Sequence, residues 1–305
     1  MFLGTGSVAL NLSSFDTSNV TNMTSIFQNS GATAIDIAGW DTSNVQSFNS
    51  AFANVDSATS IDLSQLDFDA ATSLDLMFDH AAAPAFATIN LSGDGVNGVN
   101  TTSISSLRKT FMNATSVTSI DMKGWDTSAV TNMERTFLGT TALDSIEGIS
   151  SFDTSAVVHF PFTFKDTGLT TIDLSTWNVS AAINTSYMFE GSSLTSLDLS
   201  SWSPSALTNM SYMFAYSSLT SLNLSGWNTS TVTDPSYMFA HSSLTWLDLT
   251  GWNTLAISSY TNAFFETASL GLTGSKNIIC DDPDNGGGGT PGAGTVFEEA
   301  CTTGP

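Results

Sequence analysis

A twenty-five-residue period runs through this chain and constrains its fold more than any other feature. It is clearest in Leu194–Phe214, LTSLDLSSWSPSALTNMSYMF, variants of which recur along the sequence. Trp177, Trp202, Trp227 and Trp252 stand twenty-five positions apart, and Phe189, Phe214, Phe239 and Phe264 keep the same step. Upstream, Phe2, Phe27, Phe52 and Phe78 hold it to within a residue, as do Phe15 and Trp40. A unit this short cannot bury its own apolar face, so it must stack on its neighbours as a coil of a solenoid. Chain length therefore counts coils here, not globular domains.

Within one unit, Leu194, Leu197 and Leu199 follow L-x-x-L-x-L. Period-two alternation sets the last two on one side of an extended segment and Asp198, with Ser196 and Ser200, on the other. Trp202 closes that segment as a core filler. A polar turn follows, Ser203–Ser205 here and Asp-Thr-Ser at 16–18, 41–43, 126–128 and 153–155. Such side chains cap nearby backbone N–H groups. Leu207, Met210, Met213 and Phe214 then recur at a spacing that predicts one or two helical turns. The Val20–Met23 stretch also reads as the start of a short second strand.

The expected architecture is an α/β solenoid: a leucine-rich-repeat-like right-handed coil with stacked parallel β-strands and short helical turns. It spans residues 1–270 in about ten repeats, followed by a Gly-rich tail or cap over 271–305. One core column runs Leu12, Ile37, Leu63, Leu91, Met122, Leu174, Leu199, Leu224 and Leu249. A second holds Phe15, Trp40, Trp125, Phe152 and the four regularly spaced tryptophans. These stripes read as core, not as a cofactor box.

The charge balance is lopsided: 6 Lys plus Arg against 28 Asp plus Glu, a net charge of -22. That field repels nucleic acid and anionic lipid, which makes both poor partners, and attracts cations. Asp36, Asp62, Asp121, Asp173, Asp198 and Asp248 share one column, with Asn11, Asn90 and Asn223 on other rungs. Carboxylates about 5 Å apart repel unless screened or bridged. Two of them with Ser hydroxyls would supply part of a Ca²⁺ shell, while the plainer reading is a row of solvated acids. Flanking Ser and Thr rows at Thr195, Thr220 and Thr245 admit an ice-binding face as a minor alternative. Arg108 and Lys109 fall in a stretched unit, residues 92–110, and form a candidate recognition loop with Lys123 and Arg135 nearby.

The two cysteines, Cys280 and Cys301, lie in the tail and would close a disulfide in an oxidising compartment, adding about 3 kcal/mol. His80, His159 and His241 fall on widely separated units, and neither H-E-x-x-H nor G-x-S-x-G occurs, so no metal site or catalytic site is expected. No cofactor is expected, Ca²⁺ on the Asp column apart. No run of about eighteen apolar residues suits a membrane span. Residues 1–10 lack the basic and apolar regions of a secretion signal. Met1-Phe2 aligns with Met188-Phe189, so the sequence opens inside a repeat. Asn-x-Ser/Thr sequons are frequent, as follows from a repeat rich in these residues.

LTSLDLSSW at 194–202, DTSNVTNM at 16–23 and SYMF at 186–189 return in fixed order. In these blocks the chain resembles the BspA-like leucine-rich-repeat surface proteins, a repeat family also catalogued as a domain of unknown function in bacterial lipoproteins. The resemblance covers about residues 1–270. It implies a leucine-rich-repeat solenoid, secreted or on the cell surface, that adheres to or recognises a protein or glycan without catalysis. It carries no site residues over. The alternative is a structural subunit whose copies assemble end to end into a filament or surface layer, since terminal repeats ordinarily need a polar cap. The pattern breaks at three places: Phe78 to Phe111 is 33 positions, Ala142–Phe152 is two residues longer, and LDFDAATS at 66–73 replaces the W-D-T-S block.

Overall fold

The computed structural model describes residues 6–63, 66–92, 100–253, 255–257 and 262–264, with the backbone of 278–279. Eight short strands mark one side of the coils: β1 (Ala9–Asn11), β2 (Ala34–Asp36), β3 (Thr88–Asn90), β4 (Ser119–Asp121), β5 (Ser145–Glu147), β6 (Ser221–Asn223), β7 (Trp246–Asp248) and β8 (Ile278–Ile279). All the strand pairs are parallel, and equivalent residues face each other, as in Leu10 with Ile35 and Leu222 with Leu247. Central residues such as Ile35, Ile89, Ile120 and Leu222 are buried while their strand neighbours turn outward. That is the alternation a half-buried strand requires. The tail contributes β8, which continues the sheet beyond β7.

A second parallel ladder runs along another side. Asn22, Ser47, Ser73, Ser106, Asn132, His159, Asn184, Asn209 and Asp234 are bridged in succession, which lays nine consecutive coils in register. The molecule is a parallel β-solenoid. The 33-residue step is absorbed without breaking this ladder, because Ser73 still pairs with Ser106.

The helical turns expected over Leu207–Phe214 do not form, and the α/β description is corrected accordingly. Among the described residues the only helical segments are two single turns of 3₁₀ helix, Pro84–Phe86 and Ile149–Ser151. Instead, tandem β-turns occupy that segment. Met213 and Ala215 donate back three residues to Met210 and Tyr212, whereas Met210, Tyr212, Phe214 and Tyr216 donate to Asp234, Ser236, Met238 and Ala240 of the next coil. An α-helix would direct every N–H to its own chain four residues back. Sending alternate N–H groups along the solenoid axis ties each coil to the next through the corner as well as through the sheet.

The core is a set of columns. Ten phenylalanines, Phe27, Phe52, Phe78, Phe111, Phe137, Phe164, Phe189, Phe214, Phe239 and Phe264, stack consecutively with ring centroids 5.3–5.8 Å apart. Six tryptophans sit beside them, and their indole N–H groups donate to a carbonyl of the preceding coil: Trp40 to Leu12, Trp125 to Leu91, Trp177 to Ile149, Trp202 to Leu174, Trp227 to Leu199 and Trp252 to Leu224. This satisfies the one polar atom each ring buries. Phe15, expected in that column, is 51% exposed. Gly148 (φ +88°) lets the longer coil close on its neighbour, since a Cβ there would lie 2.8 Å from the backbone of Met122 and Lys123.

The threonine of the D-T-S block has a larger role than a turn former. Thr42 is buried; its hydroxyl donates to the Asp67 carbonyl (3.1 Å) and accepts the Asp67 N–H (2.7 Å). Thr17 and Thr101 bridge to Asp41 and Asp126 in the same way. Each such hydroxyl joins two coils at a corner where no sheet forms. Phe137→Ala should lower stability by about 3–5 kcal/mol in urea unfolding through loss of a ring from the stack. Thr42→Val takes the hydroxyl partner from the part-buried Asp67 N–H and carbonyl and should cost about 1–3 kcal/mol, with Thr42→Ser much milder.

Candidate functional site

The tandem turns put two residues of most coils in the left-handed region, four positions apart; the second is Asn29, Asn54, His80, Asn113, Gly139, Asp166, Gly191, Tyr216 or His241. Ser25, Ser50, Leu76, Lys109, Arg135, Phe162, Tyr187, Tyr212, Tyr237 and Asn262 all have φ between 53° and 61°. Each lies three positions after the bridged residue of its coil where that ladder reaches, so they form a column along one corner. A non-glycine L-residue there costs roughly 1–2 kcal/mol, least for Asn and Asp. Asn262 at one end suits such a site, and Ser25 and Ser50 at the other are small. The large residues between them suit it poorly.

Those large residues stack on one another. Phe162, Tyr187, Tyr212 and Tyr237 follow at centroid spacings of 4.5, 4.6 and 4.6 Å, with rings within 10° of parallel. Arg135 lays its guanidinium 4.4 Å above the Phe162 ring, and Lys165 Nζ is 5.8 Å from the Tyr187 centroid. At the far end Asn262 donates to Tyr237 Oη (2.7 Å). A second pair, exposed Tyr216 against His241 (4.5 Å), stands four residues further round the same turns. The tyrosines are half-buried. Burial pushes the Tyr187 and Tyr212 phenols above the ordinary value. Their ring faces are covered by each other, which leaves rims and phenol groups for contact. Flanking positions are Ser186, Ser211 and Ser236 on one side and Glu190, Ala215 and Ala240 on the other.

Four of the chain's six basic residues, Arg108, Lys109, Arg135 and Lys165, gather at this corner. Arg108 and Arg135 both reach Glu134, and Lys165 pairs with Glu190 and, at 3.8 Å, Asp166. Lys109 has no ion-pair partner within 4 Å among the described residues. Burial, then the guanidiniums of Arg108 and Arg135, hold its pKa below the usual lysine value. Arg108 and Lys109 were expected on an inserted loop. They stand instead in the turn ladder itself, where Lys109 N–H donates to the Glu134 carbonyl.

The aspartate column proves to cap turns. Asp36, Asp121, Asp173, Asp198 and Asp248 each accept, through Oδ1, the N–H two residues on, at Ala38, Lys123, Ser175, Ser200 and Thr250. Asn11, Asn90 and Asn223 do the same for Ser13, Ser92 and Ser225, which explains why Asn replaces Asp on those rungs. Asp62 is exposed on the same column. Among the described residues no group of three or more His, Cys, Asp or Glu is placed to hold a metal ion. Thr195 and Thr245, from the expected hydroxyl rows, donate to the Thr170 and Thr220 carbonyls of the preceding coils.

His80 bonds Asp79 (2.6 Å) and Asn113 (3.1 Å), while His159 sits on the bridged ladder and His241 on Tyr216. The histidines stay apart. Cys280 and Cys301 lie outside the described residues, and so does the disulfide expected of them. Among the described residues no helix is long and apolar enough to cross a membrane. Sequence reasoning passed over the tyrosine column, although its signal is plain: SYMF repeats at 186–189, 211–214 and 236–239.

Fold and surface together define a repeat-built solenoid with one cation–aromatic corner. The chain belongs to the family described as Mycoplasma protein of unknown function, DUF285, whose model matches residues 1–88, 83–202 and 191–276. No curated protein and no solved structure matches the chain.

Hydrogen bonds from the Ser175 hydroxyl and N–H lower the pKa of Asp173, and those from the Ser200 N–H and hydroxyl lower that of Asp198. A carboxylate depressed in the folded state adds stability above its unfolded pKa and loses it as pH falls through the folded value. The thermal midpoint should therefore fall on acidification below about pH 4. Asp173→Asn with Asp198→Asn keeps both caps and should flatten part of that acid limb. Since the column caps turns, excess chelator at neutral pH should leave the midpoint unmoved.

Proposed function

We propose that this protein is a non-catalytic recognition solenoid that binds its partner through the corner running from Lys109 to Tyr237. One observation carries the reading. The corner places bulky residues in a backbone conformation that disfavours them, where Ser25 and Ser50 fill equivalent positions. Self-stacking offsets part of that cost, at about 0.5–1.5 kcal/mol per aromatic pair. The composition of the corner supports binding as well. Tyr, Ser and Asn offer rigid contact area and adaptable hydrogen bonds at small entropic cost, and Tyr and Arg are the residues that dominate binding hot spots.

The setting we propose is the cell surface or the extracellular space, as the likeness to BspA-like surface repeats implies, with a protein or glycan as the partner. A coil stack suits this work because every rung repeats the same side-chain placement over a long, stiff surface. The test is a triple substitution, Tyr187→Ser, Tyr212→Ser and Tyr237→Ser, which installs the residue of the early coils and removes the ring stack. Wild-type and triple-variant protein are printed against peptide and glycan arrays. The expected outcome is specific binding by the wild type, lost in a triple variant that stays folded by circular dichroism. Binding that survives in the triple variant but is lost in Asp173→Asn/Asp198→Asn would move the site to the strand face and sink the proposal.

A further inference from the structure

The recognition reading leaves open which chemical group of a partner the corner grips. We propose that the exposed ring of Tyr216 and the carboxylate of Asp166, two coils apart, hold an arginine side chain of a partner protein in the space above Gly191. This inference rests on the recognition reading, and it adds to the Lys109–Tyr237 column the residues four positions further round the same turns.

Register places these residues on one line. Asp166 N–H donates to the Glu190 carbonyl, Gly191 N–H to the Ala215 carbonyl and Tyr216 N–H to the Ala240 carbonyl. Asp166, Gly191, Tyr216 and His241 therefore take equivalent places on four successive coils, all with positive φ. Tyr216 stacks on His241 at 4.5 Å, which covers one face of its ring. The other face looks toward Gly191, which has no side chain to cover it, and Tyr216 is 53% exposed. Asp166 Oδ1 occupies the space that a Cβ on Gly191 would take. The rung between Asp166 and Tyr216 thus offers an open ring face and a carboxylate side by side. The turn does not call for that ring, since Asn29 and Asn54 suit the same backbone better.

Charge selects the occupant. The face of an aromatic ring carries the negative part of its quadrupole and attracts a cation. Asp166 adds a full charge beside it, on a side chain 49% exposed. The neighbouring ammonium, Lys165, makes its closer pair with Glu190 and lies 3.8 Å from Asp166. Two carboxylates against one ammonium leave the slot negative, within a chain of net charge -22. A guanidinium fits it better than an ammonium, because it is flat enough to stack on the ring while its N–H groups reach the carboxylate. The chain builds the same arrangement for itself nearby: Arg135 lies 4.4 Å over the Phe162 ring and pairs with Glu134. That distance matches the 4.5 Å between the Tyr216 and His241 rings, so a stacked guanidinium fills one rung.

The test is NMR titration of the whole chain, labelled on its tyrosine rings, with short Gly-Ser peptides that differ at one central residue. That residue is arginine, its neutral isostere citrulline, or lysine. The Tyr216 signal is the one missing from Tyr216→Asn, which installs the residue of the early coils and stays folded by thermal midpoint. We expect the arginine peptide to shift the Tyr216 signal and the citrulline peptide to bind at least about fivefold more weakly. Affinity should fall as salt rises from about 50 to about 500 mM. In the variants, binding is read by saturation transfer to the arginine side chain of the peptide. Asp166→Asn should weaken it at least about threefold, and Tyr216→Phe should keep it. Equal binding of the arginine and citrulline peptides, no shift of the Tyr216 signal at about 20 mM peptide, or undiminished binding to folded Tyr216→Asn overturns the inference. Lysine binding as tight as arginine also overturns it and assigns the slot to a simple cation. The recognition reading is judged separately, by the Tyr→Ser triple variant on the arrays, in which Tyr216 and Asp166 are intact.

Discussion

The backbone amide aimed along the solenoid axis is the interaction on which everything else depends. Parallel pairing runs down the molecule on two sides, through three short sheets on one and through the unbroken bridged positions from Asn22 to Asp234 on the other. The tandem turns extend the second ladder round a corner by sending alternate N–H groups to the next coil. A buried backbone group without a partner costs about as much as a lost hydrogen bond, so coils whose described residues hold so little helix must find their partners between coils. This is why the repeat length is held so closely where ladders pass, and why the extra residues of the long unit leave the Ser73–Ser106 pairing intact.

Side chains finish what the amides begin. Phenylalanine fills the axis, and tryptophan fills the space beside it while returning its N–H to the previous coil. Threonine at the D-T-S corner supplies both a donor and an acceptor where the sheet is missing. Asp and Asn close the turns after the strands. These caps need a carbonyl-type oxygen rather than a charge, which is why Asn223 stands between Asp198 and Asp248 without altering the fold. The charge of the column is thus a surplus over its structural task. It contributes to solubility.

That corner differs from the rest because its residues are not what the backbone alone would select. Left-handed turn positions are served well by Asn, and the ends of the column carry Asn262 and the small Ser25 and Ser50. From Lys109 to Tyr237 the same positions carry two cations and four aromatic rings. A stack held by its own ring contacts is rigid before any partner arrives, and such preorganisation lowers the entropic cost of binding. The family to which the chain belongs carries no functional assignment in its description, so the argument for recognition stands on this surface.

Much of the fold was legible in the period. The burial of Leu199, Trp202 and Phe214, the parallel stacking and the break at 92–110 all follow from a short unit that must bury its apolar side against its neighbours. The turns were misread because Leu207, Met210, Met213 and Phe214 are spaced as both a helix and a run of β-turns would space them. Periodicity reports which residues face inward, not where the amides point. The same ambiguity hid the tyrosines: Tyr187, Tyr212 and Tyr237 repeat visibly, but only the left-handed turn shows that they project from a corner and stack. Sequence by itself determined that the chain is a coil stack with an aromatic core, since local repetition dictates burial. Tertiary structure alone decided that the corners are turns and that Lys109, Arg135 and the tyrosines share one line, because hydrogen bonds between coils choose the backbone conformation that a single unit leaves open.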